Sequence, residues 1–400
     1  MTSVGRRRGQ RLVLALLVVL AGWLAVRHAA LAIYSASRPD RALMFAPADP
    51  VALSNLAYGR ILDAGGAVDA EARALIRAAL RRAPGDAAPV VLAALAASAD
   101  GDLPRATALM RIAKRIDPRS DIARYWLLDH AVRGGDYSTA LGEIGPALRL
   151  RPGTGDALLA LVAGLLDSPG GPAAIRAALA TDPDWRNAFF QREARGHALA
   201  LLALLGTLPP PRDPDAAWTE QSSVLAAAVD QGAILPAYKV WSRLAKIPDN
   251  ARHSLLYDPD FRGSPAPPPF NWRLDQAGGV RIASGALLLS FSGDQPRLLA
   301  EQYALAAPGR YALSFAIAAT DPATDPGLER DVLSAHILCA GDGAELAAIT
   351  LSAPAGGGRP AADFVVPPDC PAIRIQLVGR PDGIPDPIRI RVTGIAMRPL

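Results

Sequence analysis

The residues able to do chemistry in this chain are few and scattered. Its five histidines, His28, His130, His197, His253 and His336, stand apart, none in an HExxH run or at ligand spacing from a second histidine. No serine sits in a GxSxG turn. Gly356-Gly357-Gly358 lacks the lysine and serine of a phosphate loop. The carboxylate pair of a glycosidase is a matter of spatial distance, but residues 254–400 hold only Glu301, Glu329 and Glu345, and Glu301 falls in a strand pattern where an exposed surface residue is expected. Asp258 and Asp260 could offer oxygens to a structural calcium; a turn is the preferred reading, because aspartate commonly closes turns. The chain therefore reads as a non-enzyme with no catalytic residues, no metal and no cofactor. Binding chemistry remains. Tyr125, Asp129 and Arg133 recur at i, i+4 and i+8 and share one side of a helix expected over residues 121–133. They form a polar contact patch for a peptide or protein partner, or else a solvated Asp129–Arg133 pair worth ~0.3–0.5 kcal/mol.

The 400 residues have room for two or three domains. Half are hydrophobic, enough for a packed interior, but aromatics are only 6%, so the apolar content is largely Ala and Leu. Three lysines against a large excess of arginine point to a GC-rich genome. The formal net charge is +4, and the basic residues are dispersed apart from Arg6, Arg7, Arg8 and Arg11. A nucleic-acid binder concentrates its positive charge on one face with interleaved aromatics, so nucleic acid is not an expected partner.

That basic start precedes an uninterrupted apolar run, residues 12–26 (LVLALLVVLAGWLAV), then Arg27, His28 and a second apolar stretch at 29–34. Basic flanks stay on the cytoplasmic side. Residues 12–34 reach the ~20 positions a spanning helix needs if Arg27 snorkels at the far interface. The rival is a cleaved signal peptide, for which Ala30-Leu31-Ala32 fits the small-residue cleavage pattern. The long basic start favours an uncleaved anchor. Either way the bulk of the chain lies outside the cytoplasm, in the periplasm of an envelope with an inner membrane. Export also favours a disulfide between Cys339 and Cys370, the only cysteines; otherwise they are small buried hydrophobes.

Four prolines organise the next 200 residues. Pro84, Pro118 and Pro152 are 34 residues apart, and Pro183 follows after 31. Five positions before each stands Ala79, Ala113, Ala147 or Ala178; eight before, Ile76, Met110, Ile144 or Ile175; twelve before, Ala72, Ala106, Ala140 or Gly171. Small residues at fixed offsets let a second helix approach its neighbours closely, and the larger residue fills the remaining space. Gly101-Asp102 and Gly135-Asp136 fall at one phase, where glycine ends a helix and aspartate caps the next. The run GDYSTALGEIGPALRLRP (135–152) resembles the second half of a tetratricopeptide repeat, a helix–turn–helix unit of ~34 residues. The resemblance implies an α-solenoid whose first helices line a groove for protein partners. Residues 185–248 are less regular and read as degenerate repeats: a rigid loop at 208–214 (LPPPRDP), then an amphipathic helix over 235–247 with Val240, Leu244 and Ile247 on one stripe, ending near Pro248.

Beyond Tyr257 helical periodicity stops. Nine short β-rich runs follow, at 279–282, 286–291, 298–305, 311–316, 332–339, 346–351, 363–366, 373–378 and 388–395. Tyr311, Leu313, Phe315 and Ile317 alternate onto one face, as do Ile373, Ile375 and Leu377. That count and spacing argue an antiparallel sandwich. The entry YDPDFRG…PFNWRL (257–274) and PGRYALSF (308–315) resemble the jelly-roll of carbohydrate-binding modules. The resemblance implies glycan binding, with Trp272 and Tyr303 as candidate platforms on which sugar CH faces stack, although large aromatics are more often core. The expected architecture is multidomain α + β: basic tail and anchor (1–34), linker (35–49), tetratricopeptide-like solenoid (50–253) and jelly-roll-like antiparallel sandwich (254–400). The expected function is a membrane-anchored periplasmic scaffold serving envelope polysaccharide synthesis or export, with protein partners and with polysaccharide as the alternative ligand; a glycan-active enzyme is the weaker alternative.

Overall fold

The apolar leader folds as one helix, α1 (Ser3–Ser37), which runs through Arg27 and His28 without a break. The computed structural model describes residues 3–247, 255–292, 295–319, 332–352, 358–380 and 388–400, with side chains from residue 13 onward. The expected boundary at 253/254, Pro248, His253, Glu329, Gly356 and Gly357 lie outside the described residues, as do the side chains of Arg6, Arg7, Arg8 and Arg11. The chain divides into two units, Met1–Gly155 and Asp156–Leu400.

In the first unit, Val13–Ser37 spans 25 residues and reaches a mean hydropathy of 2.0 over its most apolar 18-residue stretch. At ~1.5 Å per residue the whole segment exceeds the ~30 Å hydrocarbon core, so α1 is long and apolar enough to cross a membrane. An N-terminal signal sequence meets the same criterion. The last turns of α1 belong to the folded unit: Ala30 is buried, and the Asn55 amide donates to Ser35 O (2.7 Å). After α2 (Pro39–Phe45) come six helices of 13 or 14 residues: α3 (Pro50–Asp63), α4 (Ala70–Arg82), α5 (Ala87–Ala99), α6 (Leu103–Ile116), α7 (Asp121–Arg133) and α8 (Tyr137–Leu150). They pack in pairs, and each pair packs on the next. All nine periodic positions in α4, α6 and α8 are buried: Ala72, Ile76 and Ala79; Ala106, Met110 and Ala113; Ala140, Ile144 and Ala147. The Asp69, Asp102 and Asp136 carboxylates accept from Ala72, Arg105 and Thr139 N, capping those helices. Gly101 and Gly135 take φ of +79° and +72°, where a side chain would be strained. Pro84, Pro118 and Pro152 each follow a helix's last cap residue and stop its continuation. Glu143 of α8 is buried between Lys114 of α6 and Arg124 of α7, and Arg124 also donates to Pro118 O (2.9 Å).

In the second unit the helices shorten and lose the beat: α9 (Gly155–Gly164), α10 (Gly171–Ala180), α11 (Arg186–Glu193) and α12 (Ala198–Leu205), before α13 (Pro214–Asp230) and α14 (Ile234–Leu244). Near Pro183 the pattern slips. Gly171 and Ile175 are buried as the offsets require, but Leu179 is buried in place of the half-exposed Ala178. The expected amphipathic helix is α14, with Val240 and Ile247 buried and Leu244 half-buried.

The remaining residues form a two-sheet antiparallel sandwich. Its strands are β1 (Arg273–Leu274), β2 (Arg281–Ala283), β3 (Ala286–Phe291), β4 (Arg297–Ala304), β5 (Gly309–Ala319), β6 (Leu333–Cys339), β7 (Glu345–Thr350), β8 (Ala361–Val366), β9 (Ile373–Gly379) and β10 (Ile388–Pro399). One sheet has the order β1-β4-β9-β6-β7, the other β2-β3-β10-β5-β8. All nine expected runs are strands; the two-residue β1 lies in the entry segment, where none was expected. Tyr311, Leu313, Phe315 and Ile317 from one sheet and Ile373, Ile375 and Leu377 from the other fill the core between them. Cys339, at the end of β6, is disulfide-bonded to Cys370, with Cα atoms 5.6 Å apart.

Candidate functional site

Helix α7 buries Ala123, Leu127, Leu128 and Ala131. Its other side carries Trp126, Asp129, His130 and Arg133, at i, i+3, i+4 and i+7, a full helical stripe. Together with Ser98 from the end of α5 and Leu103 from the start of α6, these residues line an open cleft of about 300 Å³. Leu103 reaches its rim because the Gly101 turn brings the chain sharply from α5 into α6; it is exposed there.

Within the cleft the Trp126 and His130 rings stack, with centroids 4.9 Å apart and planes 17° from parallel. Beside them Arg133 Nε donates to Asp129 Oδ1 (3.0 Å). Both of those side chains are exposed, so the pair is screened by solvent and worth ~0.3–0.5 kcal/mol in itself. An apolar ring flanked by a guanidinium and a carboxylate can seat an extended peptide with an apolar anchor and charges of either sign.

Of the three residues read from the sequence, Asp129 and Arg133 meet in this cleft and Tyr125 does not. The Tyr125 hydroxyl lies 3.1 Å from Thr154 Oγ1, in the short 3₁₀ turn after α8. On a helix, positions i and i+8 are already ~80° apart, so Tyr125 sits at the edge of the arc and is occupied by its neighbour. Trp126 and His130 were missed as site residues. The i, i+3, i+4, i+7 stripe was the pattern that would have identified them.

The sandwich candidates are placed differently. Trp272 is 4% exposed and packs on Phe261 at 5.5 Å; its indole N–H has no hydrogen-bond partner among the described residues. Tyr303 is 8% exposed, edge-on to Phe270, with the Arg374 guanidinium over its ring. Burial pushes the Tyr303 hydroxyl pKa up. Neither ring has a free face for a sugar. Trp272 belongs to the core between the sheets, and Tyr303 abuts, through Phe270, an aromatic cluster of Tyr238 and Trp241 from α14 with Tyr257 and Phe270 from the entry segment, fastened by a hydrogen bond from Trp241 Nε1 to Pro267 O (2.7 Å). Glu301, expected at the surface, is buried; it accepts from Gln376 Nε2 (3.0 Å) and Arg273 Nη2 (2.7 Å). Asp258 closes a turn, its carboxylate accepting from Arg262 N (2.8 Å), Gly263 N (2.9 Å) and Ser264 N (3.3 Å), while Asp260 pairs with Arg262.

No protein-family model matches the chain, and no curated protein matches it by sequence. Among solved structures, one described as "CBM4 structure and function" aligns with 32% of this chain and 86% of its own, at 15% identity and a TM-score of 0.24.

Proposed function

We propose that this chain is a membrane-anchored scaffold whose helix pairs form a tetratricopeptide-like array and whose α7 cleft holds a protein partner. The carrying observation is the Trp126–His130 stack beside the Asp129–Arg133 pair in an open cleft. The repeat reading is supported by the buried small residues at fixed offsets and the capped glycine turns described above. The uncleaved anchor is supported by Ala30 and Ser35: cleavage after Ala32 would cut the helix whose last turns pack on the array. On this reading the array is periplasmic and serves envelope polysaccharide synthesis or export.

The test is capture of envelope proteins by the full-length chain in detergent, native against Trp126→Ala and Arg133→Glu. An aromatic anchor of this kind contributes ~2 kcal/mol, so recovery of the partner should fall about 30-fold with Trp126→Ala. Recovery unchanged in both variants would overturn the cleft reading. The second reading is glycan binding by the sandwich. It is supported by half-buried polar residues Arg374, Gln376 and His336 on the outer face of the β4-β9-β6 sheet, where Arg374 covers the Tyr303 ring. Loss of polysaccharide retention in Gln376→Ala would favour it.

A further inference from the structure

We propose that Ser334, His336 and Glu345 form a nucleophile–base–orienter relay on the outer face of the sandwich, able to transfer an acyl group from a small carboxylic ester. The inference is independent of the α7 cleft. Ser334 Oγ lies 2.9 Å from His336 Nε2, and His336 Nδ1 lies 2.7 Å from Glu345 Oε2. An ionised carboxylate only accepts, so Glu345 holds the proton on Nδ1 and leaves the Nε2 lone pair toward the serine hydroxyl. That is the tautomer a general base requires. The competing acceptor for the hydroxyl, Val378 O, is farther at 3.4 Å.

The strand geometry explains how three dispersed residues meet. Ser334 and His336 are two apart on β6 and therefore share a face. Simple alternation would put Glu345 on the opposite face with Ala347 and the buried Ile349. The pairing slips, however: Ile337 faces Ala347, but Leu338 faces Glu345. This bulge at Leu346 turns the Glu345 carboxylate onto the face of His336. The hairpin is held by Cys339 N to Ala344 O (2.8 Å) and Gly343 N to Cys339 O (2.9 Å), and Cys339 is tied to Cys370.

Access is from the β7 edge. Thr350, the direct partner of Ser334 on β7, is exposed, as is Ala348 opposite His336. The His336 and Glu345 side chains are 17% and 50% exposed. Ser334 itself is buried between Thr350 and Val378, so a small acyl group fits and a bulky one does not. The ladder uses the strand N–H groups, so developing oxyanion charge must be met by side chains. The Thr350 hydroxyl is directly across from Ser334, and the Gln376 amide is on the diagonal across β9.

The reaction is balanced by the ester and water alone. Ser334 Oγ attacks the carbonyl carbon while His336 Nε2 takes its proton. The ester C–O bond then breaks, and that proton leaves on the alcohol. Water attacks the acyl-serine with His336 again as base, releasing the carboxylic acid and restoring the serine.

The experiment treats the full-length chain in detergent with a fluorophosphonate probe and with p-nitrophenyl acetate. Expected are covalent labelling at Ser334 and p-nitrophenolate release, both absent in Ser334→Ala. In His336→Gln, which keeps the serine, the labelling rate should fall about 100-fold. Glu345 is a positioning residue: Glu345→Gln should lower the maximal labelling rate about 10-fold and leave the half-saturating probe concentration unchanged. No labelling of the native chain, labelling that persists in Ser334→Ala, or equal rates in native and His336→Gln would each overturn the proposal.

Discussion

The pair most exposed to a decisive perturbation is Arg186–Glu220, whose side chains are 2% and 1% exposed. Arg186 Nε and Nη2 donate to the two Glu220 oxygens at 2.8 and 2.7 Å, joining α11 to α13. The same guanidinium donates to Leu179 O (3.2 Å) at the end of α10 and to Pro209 O (3.0 Å) in the proline-rich loop. Glu220→Ala removes both charge-assisted bonds and leaves a buried cation with two neutral acceptors. Breaking one side of such a pair costs about 3–5 kcal/mol. At ~1.4 kcal/mol per decade, the opening constant of this segment rises by roughly two to three and a half decades. Burial pushes the Glu220 carboxyl pKa up, against the pull of Arg186. A carboxyl whose folded pKa is raised contributes its full stability below the ordinary carboxylate range and loses part of it as pH rises through the folded value. Glu220→Gln, which resembles the protonated acid, should therefore cost less than Glu220→Ala. The double variant Arg186→Met/Glu220→Leu removes both charges but leaves Leu179 O and Pro209 O without this donor, at about 1–3 kcal/mol each. The assay is hydrogen–deuterium exchange of the full-length chain, followed in residues 186–193 and 214–230. Protection in Glu220→Ala within threefold of the native chain would refute the reasoning.

Two further perturbations follow from the two halves of the molecule. The Cys339–Cys370 bond spans a sequence separation of 31, so Cys339→Ser/Cys370→Ser should destabilise the sandwich by about 3–4 kcal/mol, or roughly 10 °C in a thermal scan; an unchanged midpoint would count against a structural role. In the helix pairs, hydrogen bonds from Arg60 and Ala72 N hold the Asp69 carboxyl pKa down, Arg73 does so for Asp100, and Thr139 for Asp136. Depressed carboxyl values give stability that is present above the ordinary range and is lost as pH falls through the folded values. Far-UV dichroism should therefore show helix loss beginning below about pH 4, and helix content equally stable at acid and neutral pH would contradict it.

The fold was legible where one physical rule set the residue type. A second helix that must pack closely needs alanine, a turn at φ near +75° needs glycine, and a following amino terminus prefers aspartate; hence Ala72/Ala106/Ala140, Gly101/Gly135 and Asp102/Asp136 could be read directly. The strands were equally readable, because burial on one face imposes a period of two, as in Tyr311, Leu313, Phe315 and Ile317. Legibility faded where several rules overlapped. Alanine suits any helix face, so Ala178 gave no warning that Leu179 takes its buried place. Nor does the entry segment's proline content disclose that Pro267 supplies an acceptor for Trp241. Partnership of this kind depends on where the chain returns in space.

The candidate sites mark the same division. Asp129 and Arg133 were found because a helix converts spacing into adjacency, and Trp126 and His130 were recoverable by the same geometry. Trp272 and Tyr303 went wrong because residue type alone does not decide whether a ring faces solvent; the neighbours Phe261 and Phe270 decide it. The Ser334–His336–Glu345 arrangement lay beyond a reading by period. Strict alternation assigns Glu345 to the face of Ile349, and only the slipped pairing opposite Leu338 reverses it. A bulge changes which side chains meet without changing any residue. Scanning for motifs at fixed spacing therefore misses relays assembled across a hairpin, and a histidine flanked by a serine two positions away on a strand warrants inspection of the neighbouring edge.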